Sequence, residues 1–377
     1  MALPQQPGGS FGGGVPAGLN IDTAYALLTS PASLALAAAA AAVAVAARGV
    51  DRSPTALLLL LAASLAACVA SWLGAVLASR RRSVDWSQQT VLLTGGSHGI
   101  GLSLLRLLAA ATAVDPARIA VLDVAEPPPD APRGVRFYRC DLSDADQVLD
   151  TVAQVTKDLG TVTVLINNAG TVCPLPLAEQ TPADVRRVMG VNALAPMLLV
   201  QQLLPGMLRC NKAGSAHIVT VSSVLAFVGV PQMATYCASK AALMAFHACL
   251  RAELASAAKE ECVDLRLTAV YPSMVSSGMF AGVVMPQWLS PLVSPELVAH
   301  RIFDRLDTAS SADVYVPLYT NLAPAYHLMP QIGRDFLHWL TGSQTAMDRF
   351  QGHSHSHSHS HSHSRPSQAK PAYSHKP

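Results

Sequence analysis

The fold is decided by the stretch Thr94-Gly95-Gly96-Ser97-His98-Gly99-Ile100-Gly101, which follows an apolar run and opens the helical run Leu102–Ala111. Glycines between a strand and a helix let the backbone turn tightly and approach a pyrophosphate closely. The phosphates then lie at the helix N-terminus, against unpaired N–H groups and the positive end of the helix dipole. The stretch therefore predicts a strand–turn–helix unit that binds a dinucleotide.

Beyond this turn, short aliphatic or β-branched runs alternate with helical stretches. Several of these runs are apolar nearly throughout, which is typical of parallel strands covered by helices on both faces. The alternation predicts an α/β Rossmann fold, a doubly wound parallel sheet of about seven strands. The predicted strands are Thr90–Thr94, Ile119–Asp123, Val135–Cys140, Val162–Asn167, His217–Val221, Leu265–Tyr271 and Val314–Val316.

Asp123 ends the second predicted strand, just over 20 residues after the glycine turn. A carboxylate at this position can accept hydrogen bonds from both ribose hydroxyls of an adenosine and repels a 2′-phosphate. The next three residues, 124–126, include no arginine that could hold such a phosphate. We therefore expect NAD(H) as the cofactor in preference to NADP(H). The alternative is that Asp123 is an ordinary surface acid.

The first 82 residues differ in composition from the rest of the chain. Residues 1–20 are rich in Gly, Pro and Gln, so we expect them to be disordered. Residues 21–82 contain two apolar stretches, Tyr25–Ala47 and Thr55–Ala78, and the second is uncharged and long enough to cross a bilayer. We expect N-terminal membrane helices that anchor the protein, either as two spans or as a hairpin in one leaflet. A buried soluble helix is the alternative.

A basic cluster predicts that the following domain, 87–320, faces the cytosol. Arg80, Arg81 and Arg82 come directly after the second apolar stretch, and basic clusters beside a span tend to stay in the cytosol. The net charge of +2 gives no reason to expect a nucleic acid partner. The seven cysteines are scattered without a CxxC spacing, so we expect neither disulfides nor a metal site.

The C-terminal part predicts two further segments. Residues 321–350 are apolar with few charges, which predicts an amphipathic segment on a membrane interface or a cap over the substrate. The apolar loop Val283–Leu292 also suits a cover over a hydrophobic substrate. Ordinary core or dimer packing is the alternative for both. The tail 351–377 begins with alternating His and Ser, and we expect it to be disordered.

From roughly Gln88 to Val316, four motifs in order resemble those of the short-chain dehydrogenase/reductase family. They are the glycine turn, Asn167-Asn168-Ala169-Gly170, Asn192 within Val191-Asn192-Ala193, and Tyr236-Cys237-Ala238-Ser239-Lys240 with Ser223 thirteen residues before the tyrosine. In that family Asn168, Ala169 and Gly170 lie beside the cofactor. The resemblance also implies that Asp141 and Leu142 contact the adenine. Pro272, Val275 and Ser277 fall in the stretch that supports the nicotinamide, although Ser273 and Ser277 replace the family's glycine and threonine.

The resemblance assigns the catalytic roles to Asn192, Ser223, Tyr236 and Lys240. Tyr236 and Lys240 are four residues apart and share one face of a helix. A neighbouring ammonium lowers the pKa of a tyrosine, which is otherwise about 10. We therefore expect Tyr236 to act as general base or acid on the substrate oxygen. Lys240 would also hold the nicotinamide ribose, Ser223 would bind the substrate oxygen, and Asn192 would hold a water.

Within the family, the membrane segment, the Ser277-Gly278-Met279-Phe280 ending and the C-terminal segment are similar to the membrane-bound retinol dehydrogenases and lipid-droplet 17-beta-hydroxysteroid dehydrogenases. This resemblance implies a retinoid, steroid or long-chain lipid alcohol or ketone as substrate. It also implies residence at the endoplasmic reticulum membrane or on lipid droplets, and a homodimer is common in the family. The alternatives are an NADPH-dependent reductase of 3-ketosphinganine type and a non-catalytic lipid-droplet scaffold.

Overall fold

A computed structural model of the chain describes residues 84–111, 113–210, 216–261, 265–280, 283, 290–344, 346 and 347. The predicted N-terminal disorder, both predicted membrane segments and the His-Ser tail lie outside the described residues. Most of the loop 283–292 lies outside them as well.

Seven parallel strands form one sheet in the order β3-β2-β1-β4-β5-β6-β7. The expectation of a doubly wound sheet of about seven strands is confirmed. Each predicted strand is present, with ends that shift by at most two residues. The strands are β1 Val91–Thr94, β2 Ile119–Asp123, β3 Arg136–Arg139, β4 Val164–Asn167, β5 His217–Val221, β6 Arg266–Pro272 and β7 Ala312–Val316.

Helices cover both faces of the sheet, which explains why the central strands have no polar face. Helices α1 and α6 pack on one face, where Leu93 and Val219 are fully buried, and α2, α4 and α5 pack on the other, around Leu92 and Ile218. The helices are α1 Gly99–Ala111, α2 Ala145–Leu159, α3 Pro182–Met189, α4 Ala195–Cys210, α5 Ala234–Glu261, α6 Pro295–Asp307 and α7 Gln331–Thr341.

Among the described residues, one helical run is long and apolar enough to cross a membrane, and half of its most apolar window is buried in the domain. This run, 182–209, consists of α3, a π-helical turn at Gly190–Leu194, and α4. Burial of this kind is what a helix covering the sheet requires, because its apolar face packs against the strands.

The strand order reverses at β1, since β2 and β3 lie on one side of it and β4 to β7 on the other. In open α/β sheets the crevice at the carboxyl ends of the strands, at such a reversal, is where ligands bind. Residues that follow β1, β2, β4, β5 and β6 therefore meet at one edge of the sheet.

Candidate active site

A cleft of ≈ 1010 Å³ opens at this edge. Its volume lies at the upper end of the range for small-molecule sites. The predicted cofactor residues Gly95, His98, Gly99, Ile100, Asp123, Asp141, Leu142, Asn168, Ala169, Gly170, Tyr236, Lys240, Pro272, Val275 and Ser277 line it, whereas Ser97 and Gly101 lie behind its wall.

The glycine turn has the shape that a closely approaching ligand requires. Gly95 has a φ of 69°, and a Cβ at this position would lie 2.8 Å from the Cα atom of Ala169. At Gly101 a Cβ would lie 1.9 Å from the Gly95 carbonyl oxygen, so helix α1 could not start where it does with any side chain there. The open backbone and the helix N-terminus behind it suit the pyrophosphate of a dinucleotide.

Ser97 supports this turn from behind. Its side chain is fully buried, and its Oγ donates a hydrogen bond of 2.6 Å to the Ala125 carbonyl. Its backbone N–H donates to Oδ2 of Asp123 at 3.1 Å. Ser97 therefore positions the loop after β2 and the Asp123 carboxylate, and its hydroxyl faces away from the cleft.

The Asn-Asn-Ala-Gly stretch after β4 clamps the glycine turn to the centre of the sheet. The Thr94 hydroxyl accepts hydrogen bonds from the backbone N–H groups of Asn168 and Ala169, at 3.0 and 3.1 Å. The Asn168 amide group donates to the carbonyls of Thr94 and Gly95, both at 3.0 Å. These four bonds join β1 and β4 at the point where the strand order reverses.

The Asp123 carboxylate is held by the backbone at the end of β2. Each of its oxygens accepts one N–H group, from Ser97 at 3.1 Å and from Ala125 at 3.2 Å. A carboxylate oxygen accepts more than one hydrogen bond, so both oxygens keep capacity for ribose hydroxyls. Asp123 is therefore fixed in orientation at the end of the cleft next to β2 and β3.

Three of the four predicted catalytic residues converge at the other end. The Tyr236 hydroxyl and the Ser223 side chain are hydrogen-bonded to each other. Nζ of Lys240 lies 5.8 Å from the centre of the Tyr236 ring and donates to the Val221 carbonyl at 2.9 Å. Ser222 points away, since its Oγ donates to the Lys240 carbonyl at 3.0 Å. The hydroxyl beside the tyrosine is therefore that of Ser223.

The expected lowering of the tyrosine pKa is wrong for the protein alone. Burial raises the pKa of Tyr236 above its ordinary value, and the hydrogen bond with Ser223 offsets only part of this rise. Burial also lowers the pKa of Lys240 to about 8. Low polarity penalises both charged forms, phenolate and ammonium. The spacing of Tyr236 and Lys240 reveals a shared helix face, whereas the degree of burial decides the pKa values.

Asn192, the fourth predicted catalytic residue, is fully buried behind the cleft in the π-helical turn. Its Oδ1 accepts from the Thr171 N–H at 2.8 Å, and its Nδ2 donates to the Thr171 carbonyl and to Ser239 Oγ at 2.9 and 3.0 Å. Both amide hydrogens are thereby used. The side chain joins the loop after β4 to helix α5, and Oδ1 keeps the capacity to accept one further hydrogen bond, from the predicted water.

The stretch after β6 reaches across the cleft to the glycine turn. A Cβ at Gly99 would lie 2.9 Å from Cβ of Ser277, so these residues are in direct contact. Val275 pairs with Val293, which fixes the start of this stretch against the chain before α6. The Ser277 side chain is thus placed at the cleft wall despite the loss of the family's glycine.

Sequence reasoning missed several residues that line the cleft or pack on its tyrosine. Arg139 and Arg187 line the cleft, as do Met279 and Phe280. Met347 is buried against the group of apolar residues around Tyr236. Met279 and Phe280 lie in the stretch predicted to support the nicotinamide, and Met347 lies in the segment 321–350 predicted as an interface segment or a cap. Arg139 and Arg187 come from β3 and α3, where no sequence pattern indicated the cleft.

The hydroxyl pair, the buried lysine and the glycine cradle together define an oxidoreductase that uses a nicotinamide dinucleotide. Residues 89–287 match the family model described as short chain dehydrogenase, and the chain belongs to this family. It is an alcohol dehydrogenase or ketone reductase, acting on CH–OH groups.

Related proteins agree with this assignment. The chain is 31% identical to 17-beta-hydroxysteroid dehydrogenase 13 of Rattus norvegicus, over 65% of this chain and 79% of that protein. It is 29% identical to Short-chain dehydrogenase/reductase 3 of Homo sapiens, over 74% of this chain and 92% of that protein. A solved structure described as a short chain dehydrogenase/reductase family protein has a TM-score of 0.50 and 27% identity, covering 62% of this chain and 97% of its own. These relatives support the predicted branch of the family.

Proposed function

We propose that the protein is an NAD(H)-dependent enzyme that interconverts a hydrophobic alcohol and its carbonyl compound at a membrane facing the cytosol. The observation that carries this proposal is the apolar surroundings of Tyr236. Its ring packs in a cluster with Cys173, Val188, Met233 and Met347. A substrate whose oxygen reaches this hydroxyl must place its carbon skeleton against apolar side chains.

One aromatic side chain, Phe280, and one thioether side chain, Met279, extend this apolar surface in the cleft. The Phe280 ring meets the Tyr236 ring edge to face, with centroids 5.9 Å apart. Met279 lines the cleft beside it. Methionine adapts its shape to irregular ligands, so this wall suits an extended or polycyclic lipid. The names of the relatives, a hydroxysteroid dehydrogenase among them, support a substrate of this class.

We assign a step to each side chain on the basis of this geometry. When bound, the nicotinamide accepts or donates the hydride. Tyr236 removes the proton of the substrate hydroxyl during oxidation and returns it during reduction. Ser223, hydrogen-bonded to Tyr236, holds the substrate oxygen at the phenol. Lys240, whose Nζ lies 5.8 Å from the centre of the Tyr236 ring, holds the nicotinamide ribose; its charge favours the phenolate, although burial outweighs this effect in the protein alone.

The preference for NAD(H) rests on the orientation of Asp123. Its carboxylate is fixed by two backbone N–H groups at the adenosine end of the cleft. Its negative charge opposes a 2′-phosphate and favours a ribose with free hydroxyls. An NADPH-dependent reductase is the less favoured function for this reason.

Membrane attachment rests on the sequence upstream of the domain and on helix α7. The uncharged stretch Thr55–Ala78 ends six residues before the described part of the chain begins. On α7, Ile332, Phe336 and Trp339 repeat at helical spacing, and their exposed fractions are 79%, 58% and 70%. Such an apolar face on a surface helix suits a lipid interface.

Helix α7 is also joined to the catalytic cluster. The Tyr326 hydroxyl pairs with Nε2 of His338 at 2.8 Å, and Nδ1 of His338 pairs with Ser343 at 2.6 Å. Met347 follows shortly after and is buried in the apolar cluster that contains Tyr236. The segment that carries the exposed apolar face therefore also reaches the apolar cluster around Tyr236, as a cap would.

The substrate class is tested by NADH fluorescence on the full-length protein in detergent. The protein would receive NAD⁺ with retinol, a hydroxysteroid, a long-chain secondary alcohol or, as a control, a short water-soluble alcohol. We expect turnover with one of the hydrophobic classes and little with the short alcohol. Binding of NADH without turnover of any alcohol would contradict the proposal and favour the scaffold alternative.

Attachment is tested by flotation with phospholipid vesicles. Deleting residues 1–79 should release the protein from the vesicles. If the deleted protein still floats, Phe336→Ser with Trp339→Ser tests whether α7 holds it there. Retention by a protein that lacks both features would contradict these assignments.

A further inference from the structure

A second charged residue lies beside Asp123 at the adenosine end of the cleft. In the parallel register of β2 and β3, Asp123 lies opposite Arg139. Neighbouring strands are about 5 Å apart, so the two side chains start from adjacent points at the carboxyl end of the sheet. Both residues line the cleft, and Arg139 is exposed.

The two acids nearest Arg139 are oriented by hydrogen bonds from loop residues. Asp123 accepts the N–H groups of Ser97 and Ala125. Oδ1 of Asp141 accepts both the N–H and the hydroxyl of Ser143, at 2.8 and 2.7 Å. None of the ion pairs shown among the described residues involves Arg139. Its guanidinium is thus available to an anion bound at this corner.

We propose that Arg139 determines cofactor specificity by binding a 2′-phosphate, so that the site accepts NADP(H) as well as NAD(H). The inference rests on the proposed function, because it requires the adenosine ribose to lie at Asp123. The guanidinium presents several donors in a planar fork that matches a phosphate group. Asp123 repels the same phosphate, and the preference between the two cofactors is the balance of these two side chains.

The balance predicts opposite effects of two substitutions. Arg139→Ala should weaken NADP⁺ binding by roughly ten-fold or more, since charge-assisted hydrogen bonds to a phosphate are lost, and should change NAD⁺ binding less than about three-fold. Asp123→Ala should strengthen NADP⁺ binding and weaken NAD⁺ binding. Arg139→Lys should lie between wild type and Arg139→Ala for NADP⁺, because it keeps the charge without the fork.

The experiment measures dissociation constants of NAD⁺, NADP⁺ and the fragment 2′,5′-ADP by titration of the full-length protein in detergent. Arg136→Ala is the matched control, because Arg136 is an exposed arginine at the opposite end of the same strand and lies outside the cleft lining. We expect Arg139→Ala to weaken the binding of NADP⁺ and 2′,5′-ADP, and Arg136→Ala to leave it unchanged.

Equal loss of NAD⁺ and NADP⁺ binding in Arg139→Ala would overturn the inference, as would wild-type protein that binds NAD⁺ and shows no affinity for NADP⁺. An unchanged dissociation constant for NADP⁺ in Arg139→Ala would also overturn the inference. Failure of wild-type protein to bind either dinucleotide would instead contradict the proposed function, so the two failures are distinguishable.

Discussion

Thr94 offers a direct test of how the glycine turn is held. Thr94→Val replaces the hydroxyl with a methyl group of similar size, so the change is chemical rather than steric. The hydroxyl accepts the N–H groups of Asn168 and Ala169 and donates to the Ile166 carbonyl at 3.4 Å. Thr94 is 2% exposed, so its hydroxyl is shielded from solvent.

Each buried N–H group left without an acceptor costs roughly 1–3 kcal/mol. Two such groups predict that Thr94→Val lowers the free energy of unfolding by about 2–6 kcal/mol. Thr94→Ser is the matched control, because it keeps the hydroxyl and loses one buried methyl group, which costs about 1 kcal/mol. Since Asn168 and Ala169 line the cleft, NAD⁺ binding should weaken with Thr94→Val as well.

The assay is urea unfolding of the full-length protein in detergent, followed by tryptophan fluorescence, together with NAD⁺ titration. Trp86 is buried against Phe303 and reports on the domain. Equal stability and equal NAD⁺ binding in Thr94→Val and Thr94→Ser would show that the hydrogen bonds of the Thr94 hydroxyl do not hold β1 to the loop after β4.

Two further predictions concern the hydroxyl pair and the buried histidine. Ser223→Ala should reduce kcat far more than Ser222→Ala, because only Ser223 bonds Tyr236; equal losses in steady-state kinetics would contradict the assignment. Burial lowers the pKa of His217 to about 3, so the folded protein keeps it neutral while the unfolded chain protonates it below pH 6.5. The free energy of unfolding should therefore decrease as the pH is lowered, by about 2 kcal/mol at pH 5 from this residue. Urea unfolding at pH 7.5 and 5 should show a smaller fall in His217→Asn than in wild type, and an identical fall would contradict this.

The sheet was predictable because parallel strands buried on both faces appear as continuous apolar runs. β2 and β5 begin and end where the sequence indicates. The edge strand β3 has exposed residues at both ends and no such run at its boundaries. This strand was still predicted, because the apolar and aromatic residues Phe137 and Tyr138 stand between polar residues.

The parts of the site that escaped prediction depend on contacts between distant parts of the chain. An arginine beside Asp123 was sought among the next three residues, whereas the neighbour comes from β3 through the register of the sheet. No local pattern indicates that Met347 is buried in the same apolar cluster as Tyr236. The pKa values of Tyr236 and Lys240 depend on burial, which their spacing of four residues does not reveal.

The central claim, that the Tyr236 hydroxyl transfers the proton, is tested most directly by Tyr236→Phe. The variant keeps the ring that packs against Phe280 and removes only the hydroxyl. NADH binding and alcohol oxidation would be measured on the same preparation of full-length protein in detergent. We expect an unchanged dissociation constant for NADH and a loss of turnover of about a hundred-fold or more, the range of general acid–base catalysis. Turnover close to the wild-type rate would contradict the claim.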